Sequence, residues 1–590
     1  MQSAAELVAH GMREHQAGRV AAALEAYERV LAIDARQFDA LHLRGVALHQ
    51  CGRSDEAVQA IEAALTLRTH DAAALSNLGL ALRALKRHDE ALRAYDRAVE
   101  SAPQFAQAWS NRGNLLRDMG RGAEAVASYE RAVAANPQLA SAWHGLGLAL
   151  GDQSRWADSL QAFDRALALQ ADYAVAWMDR GNTLRSLERF EDALQSYERS
   201  LELAPETAFT WSNRGVVLKR LGRFAEAVVS YTRALTLKPD FVDAMVNFAT
   251  LQKDRMDLES AIALNERALA LQPDNSGAHL NLAICHLVTG NWDLGWPHYE
   301  WRWKTEQLLD GARNFAQAQW DGTASLQGQT ILLHAEQGLG DTLQFCRLAT
   351  LVAQRGARVV LEVQAPLKGL LAGLDGVAQV VARGEPLPPF DCHCPLLSLP
   401  LALGLTLDDL PVARAYVQPD ASRVAAWPAR LGAVAPKVGL VWSGRPEHKN
   451  DHNRSLPLAT LVQALPAGPQ YHCLQKEFRP LDAQLLQTLP QITRWDSALH
   501  DFRDTAALVA HMDWVVSVDT SVAHLAAAMG KPVWLLLPYS PDWRWIVGRD
   551  DSPWYPEMRL YRQPELGDWD SVLERLRHDI DTEFRRLHHA

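Results

Sequence analysis

One spacing constrains this chain more than any other feature. Glycine stands at Gly11, Gly45, Gly79, Gly113, Gly147, Gly181 and Gly215, 34 residues apart each time. Twelve residues after each glycine comes a small residue: Ala23, Ala57, Ala91, Ala125, Ser159, Ala193 and Ala227. Four further on sits a bulky one: Tyr27, Ile61, Tyr95, Tyr129, Phe163, Tyr197 and Tyr231. Trp109, Trp143, Trp177 and Trp211 stand four residues before the later glycines, and Pro103, Pro137, Pro205 and Pro239 close repeats. A register held through seven units predicts two antiparallel helices per unit, with small residues where they cross and a large one filling the gap. Two weaker units follow, with Ala249 and Ala283 in the glycine slot. A solenoid of about nine helix pairs, curved around a concave groove, is therefore expected over residues 1–303.

This spacing resembles the tetratricopeptide repeat. Two residues before the glycine slot stand Asn77, Asn111, Asp179, Asn213, Asn247 and Asn281, with Gly145 as the gap. In a right-handed solenoid that slot of each first helix points into the groove. A row of amides there can donate to and accept from an extended peptide backbone, which gives sequence-tolerant capture of a protein acceptor. The other reading is that asparagine caps or solvates each first helix. The row resembles the asparagine ladder of the protein O-GlcNAc transferases, over the repeats only. Signature residues of that enzyme's catalytic domain do not stand out in this chain.

The chain's 590 residues exceed one core, so two or three domains are expected. No window of about 18 uninterrupted apolar residues suggests an integral membrane segment. The N-terminal sequence lacks the basic-then-apolar layout of a signal peptide. A net charge of −11 argues against a general nucleic-acid binder. Six scattered cysteines form no disulfide framework, which fits a cytoplasmic location. The triplet Cys392-His393-Cys394 is too tight for a structural metal site and reads as strand-end packing.

Where a solenoid would end in a polar cap, this one carries Trp292, Trp296, Tyr299, Trp301 and Trp303. Those rings need a cover, and a rigid junction with the next domain is expected. Residues 304–328 read as a connector, with a further aromatic at Trp320. Beyond it, strand-like runs alternate with amphipathic helices: strands at Thr330–His334, Arg358–Val363, Ala378–Val381, Val438–Val441 and Gln470–Leu474, helices at Leu339–Ala353 and Thr505–Met512. Alternation of this kind predicts doubly wound parallel α/β sheets. Two Rossmann-like halves, 329–418 and 419–590, would meet near Val417–Ala421 and hold a ligand in the cleft between them, the architecture called GT-B. A final amphipathic helix, Trp569–Leu587, is expected to pack back across the sheets.

The first strand runs into Glu336-Gln337-Gly338-Leu339-Gly340-Asp341-Thr342. Gly338 and Gly340 permit a tight turn and close approach of backbone to substrate. No Lys-Ser/Thr follows, so this is not a Walker loop, and it matches the dinucleotide fingerprint only in part. Asp341, at a helix opening, reads either as a cap or as a carboxylate able to take a proton from a hydroxyl. Near the end lies Trp514–Leu537. An apolar strand enters Asp519-Thr520-Ser521, a helix follows from Val522 to Met529, Gly530-Lys531-Pro532 turns the chain, and a second strand begins at Val533. Such a strand-to-helix turn aims free N–H groups and the helix dipole at one point, a ready anion site.

Asp519-Thr520-Ser521-x-x-His524-Leu525-Ala526-Ala527 with Gly530-x-Pro532 resembles the donor-binding element of the glycosyltransferase family 9 heptosyltransferases. The resemblance implies a nucleotide-sugar donor, Asp341 as general base, and a phosphate grip by Arg454, which stands where the family has a lysine before Trp-Pro. It implies phosphate contacts from Thr520 and Ser521, a sugar hydroxyl for Asp519, His524 reaching the cleft or packed in the core, and weak nucleoside contacts at Gln475 and Lys476. The family has glycine in place of Ser521. His448, Asp451 and His452 lie in one loop, yet GT-B enzymes handle the diphosphate with helix ends and basic side chains, so neither a metal nor another cofactor is expected. The aromatic loops Pro541–Trp545 and Ser552–Pro556 either stack on ligand or pack the domain edge.

Three readings follow. The first is an inverting, metal-independent glycosyltransferase that uses ADP-heptose or another nucleotide sugar and modifies a protein acceptor held by the repeats. The second directs the transfer to a surface glycan or lipopolysaccharide, the repeats recruiting partners. The third is a non-catalytic repeat scaffold.

Overall fold

The computed structural model describes residues 3–305, 313–411, 415–432, 436–447 and 450–588. Part of the connector, 306–312, and His448 lie outside the described residues. The chain divides into two compact units, Met1–Ala244 and Met245–Ala590.

The first unit is a tetratricopeptide solenoid whose helices pair in sequence, from Ala4–Gln16 with Val20–Ile33 to Ala208–Arg220 with Phe224–Leu237. The periodic residues meet as their spacing demands. All seven small-slot residues from Ala23 to Ala227 are fully buried. A Cβ on Gly79 would lie 2.6 Å from the Tyr95 ring, and one on Gly113 2.8 Å from the Tyr129 ring, so only glycine admits the bulky neighbour. The tryptophans lock the register: the indole N–H of Trp109 donates to Pro103 O at 3.0 Å, of Trp143 to Pro137 O at 2.9 Å, and of Trp211 to Pro205 O at 2.8 Å. First helices of neighbouring repeats pack side by side, which places them on the inner curve.

The boundary falls within helix Val242–Asp254, and the second unit continues with the repeat helices Leu258–Leu271, Ser276–Val288 and Trp292–Tyr299 and a 3-10 turn, Glu300–Lys304. Two parallel sheets follow, the GT-B type of α/β fold. In the first, β1 (Thr330–His334), β2 (Arg358–Val363), β3 (Val377–Ala382) and β4 (Cys392–Pro395) lie in the order β3-β2-β1-β4. In the second, β5 (Lys437–Val441), β6 (Gln470–Cys473), β7 (Ile492–Thr493), β8 (Trp514–Val518), β9 (Val533–Leu537) and β10 (Met558–Arg562) lie in the order β10-β9-β8-β5-β6-β7. Each order reverses once, between β1 and β4 and between β5 and β8. The cysteine triplet thus belongs to a strand of its own rather than to a strand end. The expected helix Leu339–Ala353 is broken into Leu339–Phe345, a 3-10 turn and Ala349–Gln354. The break carries Arg347 into the interior, where it donates to Trp554 O at 2.6 Å and Tyr416 Oη at 3.0 Å.

Of the aromatic residues at the end of the repeats, Trp292, Trp296 and Tyr299 are buried within this same unit, and Trp301 and Trp303 are half-buried. Trp292 stacks on Trp554 with centroids 5.1 Å apart, and Trp296 meets Trp543 edge-on at 5.2 Å. Among the described residues no helix is long and apolar enough to cross a membrane.

Candidate active site

Ligands of open α/β sheets bind beyond the carboxyl ends of the strands, where the strand order reverses. In both sheets the singled-out turns stand at that place: Glu336–Asp341 follows β1, the loop from Trp442 to Arg454 follows β5, and Asp519-Thr520-Ser521 follows β8. The two halves bring these turns together. A Cβ on Gly340 would lie 2.9 Å from His524 Cδ2 and 3.6 Å from Ser521 Cα. Gly340 is required by this close approach. Gly338 has an ordinary extended backbone, and its N–H donates to Asp341 Oδ2 at 2.7 Å.

Helix Ser521–Ala528 begins without a side-chain cap. Thr520, its N-cap residue, turns its hydroxyl to Ser517 Oγ at 3.2 Å instead. The N–H groups of Ser521, Val522 and Ala523 have no acceptor among the described residues. Three bare amides at a positive helix end suit an anion. Beside them, Arg454 donates from Nη1 to Asp519 O at 3.0 Å, while its buried Nε has no hydrogen-bond partner and lies 3.6 Å from Asp451 Oδ1. Any side chain at Gly444 would collide with this guanidinium.

Asp519 is tied down by Trp545, whose indole N–H donates to Oδ2 at 2.9 Å. Burial, then the neighbouring Asp542 carboxylate, pushes the Asp519 carboxyl up to about 6. His524 is buried at 4% exposure, with Nδ1 2.9 Å from Tyr555 Oη and its ring stacked on Trp545. Burial and the Arg544, Arg347 and Arg454 cations hold its pKa well below the ordinary value, so the imidazole is neutral. It is the packed spacer between the two turns and not a free side chain in the cleft. Asp341 accepts from Arg544 Nη2 on one oxygen and from Gly338 N on the other.

Other expected contacts fall differently. The Gln475 amide is fully engaged: Oε1 accepts from Trp442 N and Ser443 N at 2.6 and 3.2 Å, and Nε2 donates to Ser443 Oγ and Glu477 O. Its side chain shapes the β5 loop and has nothing left for a nucleoside. Lys476 is exposed, 3.4 Å from His500 O. The aromatic loops pack rather than line a cleft, with Trp543, Trp545, Trp554 and Tyr555 all 4% exposed or less. Among the described residues no three His, Cys, Asp or Glu side chains gather as a metal site. A cavity of about 210 Å³ beside Gly369, Tyr416 and Arg503 lies at the junction of the halves, away from Asp341.

The expected ladder is largely spent inside the protein. Asn77 bonds His42 at 2.8 Å, Asn111 donates to Ser76 Oγ at 3.3 Å, Asp179 pairs with His144 at 2.8 Å, and Asn213 donates to Asn182 Oδ1 at 2.9 Å. In the second unit Asn281 donates to Thr250 Oγ1 at 3.0 Å, whereas Asn247 has no partner among the described residues. Most of these side chains staple one first helix to the preceding one. The sequence singles out the loops that carry Arg544, Trp545 and Tyr555, but no local pattern marks their bonds to Asp341, Asp519 and His524.

Comparison with known proteins finds matches in both regions of the chain. Residues 8–72, 52–106, 76–140 and 246–295 match a tetratricopeptide repeat family, and 138–206 and 172–240 match a second one. Residues 499–545, from before β8 to the Trp543–Trp545 turn, match glycosyltransferase family 9 (heptosyltransferase). Protein FlbA of Caulobacter vibrioides (strain ATCC 19089 / CIP 103742 / CB 15) is 26% identical over 317 residues, 49% of this chain and 52% of that protein. The chain thus spans about half the length of the curated relative it matches. Among solved structures, MamA is 25% identical with a TM-score of 0.27, covering 28% of this chain and 95% of that one. YrrB, a TPR protein with an unusual peptide-binding site, is 24% identical with a TM-score of 0.28, covering 32% and 96%. Pseudomonas aeruginosa PilF is 20% identical with a TM-score of 0.32, covering 34% and 92%.

Proposed function

For a chain that joins tetratricopeptide repeats to a glycosyltransferase family 9 segment, we propose a glycosyltransferase that moves a sugar from a nucleoside-diphosphate sugar to a hydroxyl of a protein acceptor. One observation carries the reading. The uncapped amides of Ser521, Val522 and Ala523, flanked by Arg454, stand at one strand-order reversal and face the Asp341 turn at the other.

In this reading Asp341 accepts the acceptor's hydroxyl proton as that oxygen bonds the anomeric carbon. The bond from that carbon to the diphosphate oxygen breaks on the opposite face, which inverts the configuration. The departing diphosphate takes up the electron pair, and its charge meets the helix amides and the Arg454 guanidinium. These groups supply positive charge without a metal. Because the Gly340 and Ser521 turns touch, the donor enters when the two halves part. Family 9 resemblance makes ADP-heptose the first donor to test, with UDP and GDP sugars beside it. The repeats would hold the acceptor, and Asn247 has the freest amide for that purpose. The six free cysteines support a cytoplasmic location.

The test is transfer to candidate acceptor proteins, read by intact mass with a panel of nucleotide sugars. Asp341→Asn is expected to bind donor as the wild type does and to lose about 100-fold or more in turnover. Unchanged turnover in that variant would remove Asp341 from the chemistry.

A further inference from the structure

We propose that Arg544 is the positioning residue for Asp341, and that its loop, residues 542–547, makes the last repeat a working part of the catalytic unit. The inference rests on the reading of Asp341 given above.

Arg544 is 7% exposed and spends its guanidinium in three directions. Nη2 donates to Asp341 Oδ1, Nε to Gln344 Oε1 at 2.8 Å, and Nη1 to Asp542 Oδ1 at 2.7 Å. Asp341 and Gln344 lie one turn apart on helix Leu339–Phe345, so a single planar fork from the second sheet's half grips two points of the first half's helix. Asp542 holds the fork in turn, since its Oδ1 also accepts the Arg544 N–H at 3.0 Å. A carboxylate fixed on both oxygens presents one orientation to a substrate.

The neighbours of Arg544 extend the coupling. Trp545 reaches the other turn through its bond to Asp519. Trp543 lies under the Arg544 guanidinium at 4.3 Å and packs against Trp296 and Tyr299 of the last repeat. Val547 N donates to Val288 O at 2.9 Å, a backbone bond between this loop and helix Ser276–Val288. The last repeat also holds the Asp341 turn from the other side. Arg302 donates to Glu336 Oε1 at 2.7 Å and to Ser398 Oγ at 2.7 Å, and Gln337 Nε2 lies 3.4 Å from Tyr299 Oη. Both flanks of the proposed base are therefore anchored in the repeat that precedes it.

The experiment compares wild type, Arg544→Ala and Arg544→Lys in the full chain. In Arg544→Ala, kcat is expected to fall about 30-fold or more with the donor Kd within about twofold of wild type, and added methylguanidinium to restore about a third of the loss. Arg544→Lys keeps the charge without the fork and serves if the alanine variant fails to fold; it is expected to lose about tenfold in kcat. Amide exchange at residues 338–345 is expected to speed up in each variant that folds, whether or not transfer is detected. Unchanged kcat, or donor affinity falling in step with kcat without rescue, would overturn the positioning role, as would unchanged exchange. A wild type inactive with every donor and acceptor, yet with exchange that responds to Arg544→Lys, would count against the transferase reading and leave the coupling standing.

Discussion

Two groups of tryptophans, both at the ends of repeat helices, are used in opposite ways. In the first unit Trp109, Trp143, Trp177 and Trp211 are half-buried, each with its indole N–H bonded to a backbone carbonyl six residues earlier. In the second unit Trp292 and Trp296 are 2% exposed, and their indole N–H groups are buried with no acceptor among the described residues. The first set fixes register inside each repeat and stays half-buried, with arginine guanidinium groups over the rings of Trp109, Trp177 and Trp211. The second gives up that hydrogen bond and buries the whole ring against Trp543 and Trp554. An unsatisfied N–H costs about 1–3 kcal/mol, which a fully buried indole offsets through packing. One residue type thus builds a repeat in one place and docks it in the other.

The sharpest way to break this contrast is to truncate one ring of each kind. Trp296→Ala is expected to cost about 3–5 kcal/mol, as large buried aromatic deletions do. Trp177→Ala removes one hydrogen bond and part of a half-exposed ring, about 1–2 kcal/mol. Urea unfolding of the two variants checks this, and equal losses would erase the distinction.

A second difference lies in charge. Pairs between neighbouring repeats, such as Arg83–Asp118 at 2.6 Å, sit at 33% and 40% exposure and contribute little. The Arg302–Glu336 pair is 3% exposed on both sides, and burial pushes the Glu336 carboxyl from 4.5 to about 7 despite the cation. A carboxyl raised on folding contributes stability that is present below its unfolded pKa and is lost as pH climbs through the folded one. Wild type is therefore expected to lose stability between about pH 4.5 and 7 through this group, and Glu336→Gln to show a flatter curve over that window. Parallel curves from thermal melts would contradict the assignment.

The smallest expected effect separates two asparagines of the same slot. Asn111, bonded to Ser76, is expected to cost about 1 kcal/mol on replacement by alanine without altering acceptor KM. Asn247, which has no partner to lose, is expected to leave stability unchanged and raise acceptor KM. Identical behaviour of the two would show that the slot has one role throughout.

What the sequence discloses follows from how local each contact is. The glycine, alanine and tyrosine of one repeat meet within a single helix pair, so their spacing carries the packing directly. The turn from β8 into helix Ser521–Ala528 is equally local, and the strand, the turn and the helix start are legible from Asp519-Thr520-Ser521. The same spacing does not tell whether an amide is free, because Asn111 finds its acceptor 35 residues away on the preceding helix. Arg544 reaches Asp341 across 203 residues, and nothing in Asp542-Trp543-Arg544-Trp545 distinguishes a residue that grips a distant carboxylate from one that packs an edge. His524 illustrates the same limit: its packed position depends on Tyr555 and Trp545, both supplied by later loops.

Calorimetric titration of nucleoside diphosphates in the presence of a chelator tests most directly whether bare amides and a guanidinium at the β5–β8 reversal hold a diphosphate. Wild type is expected to bind a nucleoside diphosphate without added metal, and Arg454→Ala to bind it about 10- to 100-fold more weakly, the loss of one charge-assisted contact. No binding by the wild type, or equal binding by both proteins, would contradict the account.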